Sequence, residues 1–135
     1  MRLRVWTAVH PSESEEKVKR ALRNLFPQLE FAREGDRLLG ESSDPSALSR
    51  IHQLLRAHQI LDTARSVLFR NKTDNRTCFA LNKQAAFVGK LSFTDGESPL
   101  GPIMVELEAP DLERLIDYLA PRTKEGRPVA EIGYP

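Results

Sequence analysis

Hydrophobic and polar residues alternate over residues 2–10, and this period of two predicts a β-strand. The pattern then changes, because the apolar residues within 18–25 recur at the three- and four-residue spacing of a helix. Ser12 and Glu15 precede that stretch with the spacing of a capping box, and Pro27 follows it as a stop. The chain is therefore predicted to begin with a strand and a helix.

The middle of the chain predicts a hairpin and one or two helices. Residues 29–32 and 37–42 flank a turn that contains a glycine, which is typical of a β-hairpin. The aspartate–proline pair at 44–45 provides a cap and a first-turn proline for a helix, and apolar spacing predicts a further helix over 60–69. The pattern leaves open whether a kink or a full break separates the two helices near residues 58–59.

The last third of the chain predicts three strands and a final helix, and the order of these elements indicates the fold class. The strands are expected over 76–82, 87–93 and 103–108, with a loop over 94–102 and a helix over 111–119. Helices do not alternate one for one with strands. This order favours an α+β fold, a single layer of mostly antiparallel or mixed β-sheet with helices packed on one face, over a doubly wound parallel sheet.

Length and composition fit one globular domain. The 135 residues can bury a real hydrophobic core, so a single domain is expected over 1–135, with a weakly ordered tail over 122–135. No apolar run approaches the roughly 20 residues that cross a bilayer, and no signal peptide is recognisable. Cys78, the single cysteine, lies in a predicted buried strand, where it fits a small hydrophobic residue and a reducing compartment. We therefore expect a soluble cytoplasmic protein.

The net charge of +1 conceals an uneven distribution of cations. Residues 56–90 contain seven arginines and lysines against two aspartates, a net charge of +5, which leaves −4 for the rest of the chain. Such a basic segment can attract nucleic-acid phosphates, although solvated charges on a helix and a loop would have the same composition. Residues 82–90 add amides and small residues, and residues 97–102 form a stiff loop with two prolines. Both segments also fit plain structural connections.

The sequence contains no recognisable catalytic or metal-binding motif. Phosphate-loop, dinucleotide-binding, HExxH and nucleophile-elbow patterns are all missing, and one cysteine cannot form a CxxC zinc site. His52 and His58 are six residues apart and would point in different directions on one helix. We expect no enzymatic activity, metal or cofactor. The remaining enzymatic alternative is a cleft for a small anionic substrate, lined by Asp62, Lys83, Gln84 and Ser98.

Trp6 is the most informative aromatic residue, because its face of the first strand also carries Arg2 and Arg4. A tryptophan beside two arginines can form a base-stacking platform. It can equally pack under a helix, and a core or interface position is the favoured interpretation. The basic and aromatic submotif of an ordinary RNA-recognition motif is missing from the sequence.

Four short segments resemble an archaeal family of uncharacterised, predicted RNA-binding proteins that have been suggested as accessories of the exosome. These segments are residues 60–65, 82–90, 97–103 and 115–121, and the resemblance extends over nearly the whole chain. It implies a fold similar to that of the ribosomal protein that binds 5S rRNA. It brings no catalytic residues with it, and kinship of fold is only an analogy about function.

The sequence thus predicts a non-catalytic RNA-binding protein or an accessory of an RNA-processing assembly. The alternative is a protein-interaction or homodimerisation module without direct RNA binding, which would use an exposed edge strand and the apolar face of the last helix. The residues predicted to contact RNA are Arg65, Arg70, Lys72, Arg76, Lys83, Gln84, Lys90 and Ser98.

Overall fold

The computed structural model describes residues 1–95 and 100–134. The strands in these ranges are β1 (Arg2–Ala8), β2 (Ala32–Glu34), β3 (Arg37–Ser42), β4 (Arg76–Leu81), β5 (Phe93–Thr94), β6 (Ile103–Glu108), β7 (Thr123–Lys124) and β8 (Arg127–Pro128). The helices are α1 (Glu15–Leu25), α2 (Ser49–Ala57), α3 (Leu61–Arg70), α4 (Lys83–Phe87) and α5 (Leu112–Leu119), and a 3₁₀ turn over Pro45–Leu48 precedes α2.

Six of these strands form one sheet in the order β2-β3-β1-β6-β4-β5, and each pairing between neighbours is antiparallel. The predicted α+β class with a mostly antiparallel sheet is therefore confirmed. β1 lies in the middle, where Trp6 is opposite Leu39 of β3 and Met104 of β6. The two edge strands contain only three and two residues, which limits pairing of the sheet edges with other chains.

The helices cover one face of the sheet. Leu3 and Val5 of β1 are fully buried in a core that also contains the apolar residues of the helices, whereas Arg4 and Trp6, at the alternate positions of the strand, are only half-buried. Because alternate residues of a strand point to opposite faces, the second face of the sheet lies open. None of the helices in the described part of the chain covers this second face.

The first helix begins two residues later than the capping box predicted. The hydroxyl of Ser14, not that of Ser12, accepts the hydrogen bond from the Lys17 amide, at 3.4 Å. Glu13 instead turns back and accepts a hydrogen bond from the His10 amide at 3.0 Å. Only Ser12 has a glutamate three residues later, but Glu13 is held by the His10 amide and by Lys83, and Ser14 caps the helix instead.

The predicted hairpin and the two middle helices are present, with shifted limits. The first hairpin strand, expected over 29–32, begins only at Ala32, because Leu29 and Phe31 turn into the core instead of pairing. A full break separates α2 from α3, where Gln59 adopts a positive φ of 56°. A left-handed residue cannot continue a right-handed helix, so α2 ends before it.

The prediction of a strand over 87–93 is wrong. Residues 83–87 form α4, and only Phe93–Thr94 pair with the sheet as β5. The side chain of Asn82 caps the helix by accepting a hydrogen bond from the Ala85 amide at 2.8 Å. A cap at one end and a glycine turn at the other outweigh the strand-like alternation of the residues that follow.

The C-terminal residues described by the structure lie against the helices. Thr123–Lys124 and Arg127–Pro128 form a small hairpin, and beyond it Glu131 accepts two hydrogen bonds from Arg56 at 2.6 and 2.7 Å. The Tyr134 hydroxyl donates to Asp111 at 2.6 Å. Burial and this hydrogen bond raise the pKa of Tyr134 to about 12. The weak order expected for residues 122–135 in solution stays a prediction.

Within residues 1–95 and 100–134, every helix is too short or too polar to cross a membrane.

Candidate nucleic-acid interface

The residues predicted to contact RNA do not form one surface. Arg70, Lys72 and Arg76 lie around the turn between α3 and β4, whereas Gln84 and Lys90 lie at α4 and just after it. The other three occupy separate places. Lys83 points into the protein, Arg65 faces α5, and Ser98 lies outside the described residues.

Lys83 is not available to a phosphate. Its side chain is 1% exposed, and its ammonium group donates hydrogen bonds to the carbonyls of Ala8 and Leu100, both at 2.8 Å. The carboxylate of Glu13 lies 3.2 Å from the same nitrogen. A lysine ammonium has three donors, so these partners saturate it. The expectation that Lys83 binds RNA is therefore wrong. The residue instead joins α4 to the end of β1 at Ala8 and to Leu100, shortly before β6.

Arg65 is also committed to contacts within the protein. Its guanidinium lies 2.7 Å from the carboxylate of Asp117 and donates to the Ala120 carbonyl at 3.1 Å. It also lies over the ring of Phe69, at 4.9 Å from the centroid. These contacts join α3 to α5, so the role that the structure gives to Arg65 is packing between helices.

The turn between α3 and β4 has a mixed charge. Arg70 and Lys72 have no ion pair within the described residues, but Arg76 lies 3.1 Å from Glu108. An open groove of about 530 Å³ follows this turn onto the sheet, and Glu106 and Glu108 lie on its wall. Carboxylates beside the cations oppose the binding of phosphates.

A more uniformly basic surface lies where α4 packs beside α1. We call it the α1–α4 surface. The side-chain amide of Asn24 joins the two helices by donating to the carbonyls of Ala86, at 2.9 Å, and Phe87, at 3.4 Å. Helical spacing puts Lys17 and Arg20 on the same flank of α1 as Asn24. The residues of the α1–α4 surface are Lys17, Arg20, Gln84, Phe87, Val88 and Lys90, and each of them is exposed.

A glycine turn fixes the end of α4. Gly89 adopts a φ of +75° and its amide donates to the Ala86 carbonyl at 3.0 Å, while the Lys90 amide donates to Ala85 at 3.0 Å. This pair of bonds is the Schellman arrangement that ends many helices. It leaves Phe87 at 37% and Val88 at 72% exposure. Two large apolar residues thus stand on a rigid helix end in contact with water.

The cations of the α1–α4 surface are free to take a partner. Lys17, Arg20 and Lys90 form no ion pair within the described residues, in contrast to Arg65 and Arg76. Glu15 lies 3.1 Å from Arg33 and 3.7 Å from Lys19 on the opposite flank of α1, whereas the exposed Glu16 stands one turn before Arg20 and forms no ion pair within the described residues. An anion that approaches this surface therefore meets three cations that form no ion pair and one neighbouring acid, Glu16.

The uncovered side of the sheet has a different character. We call it the open sheet face. Trp6 lies at its centre, and the guanidinium carbons of Arg4 and Arg37 lie 5.6 and 6.0 Å from its ring centroid. Trp6 therefore does not pack under a helix. Four arginines and four glutamates of strands β1 to β4 and β6 balance each other on this face: Arg2, Arg4, Arg37, Arg76, Glu34, Glu41, Glu106 and Glu108.

The pairing of Arg4 on the open sheet face is incomplete. Its Nε atom lies 3.3 Å from a carboxylate oxygen of Glu41, which is an ion-pair distance. The same buried atom has no hydrogen bond of proper geometry. We regard the contact as an electrostatic attraction without a directed hydrogen bond, because the distance is short but the angle is poor.

The titratable groups with shifted pKa values lie away from both surfaces. Burial and the positive charge of Arg56 lower the pKa of His52, whose ring stacks on Tyr118 with centroids 4.5 Å apart. The hydrogen bond from Arg56 lowers the pKa of Glu131. These groups hold the C-terminal segment in place. Within the described residues, no group of three histidine, cysteine or acidic side chains is arranged to hold a metal ion.

Comparison with known proteins identifies the family. A family model described as "RNA binding" matches residues 2–109. A UPF0201 protein of Methanopyrus kandleri is 46% identical over 144 aligned residues, which cover 96% of this chain and 90% of that protein. A UPF0201 protein of Metallosphaera sedula is 45% identical over 133 residues, with coverage of 95% and 93%. This chain belongs to the UPF0201 family.

A solved structure supports the same relationship. The crystal structure of a UPF0201 protein from Methanococcus jannaschii matches with a TM-score of 0.86 and 33% identity, and the match covers 96% of this chain and 100% of that one. The predicted membership of an archaeal family described as RNA-binding is confirmed. In this UPF0201 chain, the match to the family model runs from β1 to the end of β6, so it includes both the α1–α4 surface and the open sheet face.

Sequence reasoning missed four residues of the α1–α4 surface. Lys17 and Arg20 lie outside the basic segment 56–90, and the strand predicted over 87–93 includes Phe87 and Val88. Asn82 and Gly89 carry a signal that could have corrected the strand assignment, because asparagine before a short run and glycine after it mark the two ends of a helix. No local signal indicates that α1 and α4 become neighbours.

Proposed function

We propose that this protein binds RNA through the α1–α4 surface and catalyses no reaction. The observation that carries the proposal is the set of three exposed cations without ion pairs, Lys17, Arg20 and Lys90, on the two joined elements that also expose Phe87 and Val88. Arginine and lysine bind phosphates, and exposed aromatic residues bind bases. The family description points to the same class of ligand.

The remaining accessible residues extend the proposal. Gln84 lies in the α1–α4 surface as an amide that can bond a base edge. Arg70 and Lys72 form a second, weaker place for the phosphates of a longer RNA, where Arg76 is already paired with Glu108. Such a protein could serve as an accessory of an RNA-processing assembly, because it brings RNA binding without chemistry of its own.

The experiment measures binding of fluorescent RNA by anisotropy across a series of salt concentrations. The triple variant Lys17→Glu, Arg20→Glu and Lys90→Glu should bind far more weakly than the wild type. If each cation meets one phosphate of a single strand, the plot of log affinity against log salt should become shallower by about 2.

The matched control changes three exposed cations of the C-terminal hairpin region to glutamate: Arg122, Lys124 and Arg127. It has the same net charge as the test variant and should retain wild-type affinity and slope. An equal loss in both variants would mean that net charge alone, and not the α1–α4 surface, determines binding. An absence of RNA binding by the wild type at low salt would refute the proposal.

A second candidate function is self-association through the open sheet face. The apolar face of α5 cannot serve for this, because Leu112, Leu115 and Leu119 are buried in the core. The half-buried Leu39, Trp6 and Met104 instead form an apolar row across the middle of the open sheet face. Arginines and glutamates in equal number around that row suit a second copy of the chain better than a polyanion.

Sedimentation equilibrium at high salt tests this second candidate. A dimer that persists at high salt and dissociates in the variant Met104→Glu would support it. A monomer at all protein concentrations would exclude it.

A further inference from the structure

We infer that the α1–α4 surface selects unpaired RNA, one base of which stacks on the ring of Phe87. This inference rests on the proposed function and adds the class of RNA. It explains why an aromatic ring, and not only cations, stands on this surface.

The exposure of Phe87 and Val88 has no explanation within the fold. A single exposed apolar residue is common on protein surfaces, but Phe87 and Val88 are adjacent and belong to the few large apolar residues that are exposed in the described ranges. The neighbouring Ala86 is fully buried, so α4 is anchored by a small residue while 37% of its largest side chain, Phe87, stays exposed to water. A ligand that covers the ring would remove this apolar surface from water.

The helix end that carries Phe87 is held from several directions. Asn24 bonds its carbonyl, the Schellman turn at Gly89 fixes the backbone after it, and Asn82 caps the start of α4. Lys83, buried between these caps, secures the first turn. A platform that is ordered before binding loses little conformational entropy when the ligand arrives, so more of the contact energy appears as affinity.

The ring indicates a single strand and not a duplex. In an A-form helix the faces of the bases are stacked on one another and cannot reach a side chain, whereas an unpaired base can place its face on an aromatic ring. Gln84 lies three residues before Phe87, on the same side of α4, where its amide can bond the edge of a stacked base. The free cations Arg20 and Lys90 then meet the phosphates of the same strand.

An apolar protein partner is the other ligand that an exposed phenylalanine could attract. The charges favour RNA. Lys17, Arg20 and Lys90 have no acidic partner within the described residues, and an uncharged partner would have to remove their hydration without replacing it. A single-stranded polyanion with exposed base faces satisfies both the cations and the ring.

The test compares the variant Phe87→Leu with the wild type and with Phe87→Trp. Leucine retains an apolar side chain but has no ring face, and tryptophan enlarges the face. We expect Phe87→Leu to weaken binding of a single strand of about 12 nucleotides by about five- to 150-fold, as the loss of one stacked base predicts. Phe87→Trp should bind at least as tightly as the wild type.

Two further measurements separate stacking from phosphate binding. The salt dependence of Phe87→Leu should equal that of the wild type, because no phosphate contact is lost. A blunt duplex of the same length, and inorganic polyphosphate, should bind the wild type and Phe87→Leu equally. Both variants should still unfold cooperatively, with at most a modest fall in the melting temperature of Phe87→Leu, because part of the ring packs against the protein.

Each other outcome has a definite meaning. Equal single-strand affinity of Phe87→Leu and the wild type would overturn base stacking and leave the proposed phosphate binding intact. A duplex that binds as tightly as the single strand would also overturn the selection of unpaired RNA. Failure of the wild type to bind any RNA would refute the proposed function itself. Self-association that disappears in Phe87→Leu would assign the ring to a protein contact instead.

Discussion

The ammonium group of Lys83 and the carboxylate of Glu13 form an ion pair at 3.2 Å, and their side chains are only 1% and 6% exposed. The pair joins the start of α4 to the turn before α1. The same ammonium group holds the carbonyls of Ala8 and Leu100, so one side chain connects four separate segments of the chain. Lys83 therefore stabilises the place where the two helices of the α1–α4 surface meet.

Loss of this buried pair should destabilise the protein strongly. The variant Lys83→Met leaves the carboxylate of Glu13 buried without its partner, and breaking a buried pair in this way typically costs about 3–5 kcal/mol. Urea unfolding of the variant should show a loss of that size in the free energy of unfolding. Lys90→Met, at an exposed site, should change the same quantity by less than about 0.5 kcal/mol.

The double variant Glu13→Gln, Lys83→Met distinguishes the pair from ordinary packing. Because each single change removes the same interaction, the double variant should lose less stability than the two single variants together. Additive losses would show that Lys83 and Glu13 act independently.

The glycine turn after α4 should be sensitive to a single methyl group. Gly89 has a φ of +75°, where a side chain other than hydrogen costs about 1–2 kcal/mol, so Gly89→Ala should reduce the free energy of unfolding by about that amount. A Cβ at Gly89 would meet no atom within 4 Å, so the loss would come from the backbone and not from a clash. Gly133→Ala is the matched control, since that glycine has equal space and no positive φ. A Gly89 variant as stable as the control would show that the turn tolerates a side chain.

The sequence predicted the elements of this fold better than it predicted the site. Periodicity located β1, α1 and α5 to within a few residues, because their apolar positions report directly on one buried face. The strand predicted over 87–93 is wrong, because an alternation of apolar and polar residues over so few positions fits an extended loop as well as a strand. Asn82 and Gly89, which mark the true helix, are single residues whose effect depends on geometry.

Charge composition could not predict which cations are accessible. Lys83 and Lys90 are both lysines of one basic segment, but Lys83 bonds the carbonyl of Ala8, 75 residues away, whereas Lys90 faces water. The local sequence does not distinguish a buried lysine from an exposed one. The distinction depends on the distant segments that fold around the side chain, here those of Ala8, Glu13 and Leu100. The basic surface instead depends on Arg20, which lies outside the basic segment.

Stability should fall when the pH is lowered through the range in which histidine titrates. Burial and Arg56 lower the pKa of His52 in the folded protein, so the unfolded chain binds a proton first, near its ordinary pKa of about 6.5. The contribution of neutral His52 to the free energy of unfolding is therefore complete above about pH 6.5 and is lost as the pH falls below that value. Urea midpoints measured at about pH 7.5 and about pH 5.5 should show the decrease.

The variant His52→Phe should reduce this pH dependence. Phenylalanine keeps a ring against Tyr118 but cannot bind a proton. Glu131, whose pKa is lowered by Arg56, responds only at more acidic pH, because its unfolded value is already that of a carboxyl group. His58→Gln, at an exposed histidine, is the matched control and should retain the wild-type dependence. An unchanged dependence in His52→Phe would assign the effect to other groups.

The fluorescence of Trp6 should tell which surface binds a partner. Trp6 is the single tryptophan of the sequence and lies half-buried on the open sheet face, whereas Phe87 lies on the side of the helices. RNA bound at the α1–α4 surface should therefore leave the emission of Trp6 and its quenching by acrylamide unchanged. A second copy of the chain on the open sheet face should shield Trp6 and shift its emission to the blue, because the ring would leave water. Quenching of Trp6 by RNA at concentrations that saturate anisotropy would instead place the base-stacking ring on the sheet, between Arg4 and Arg37.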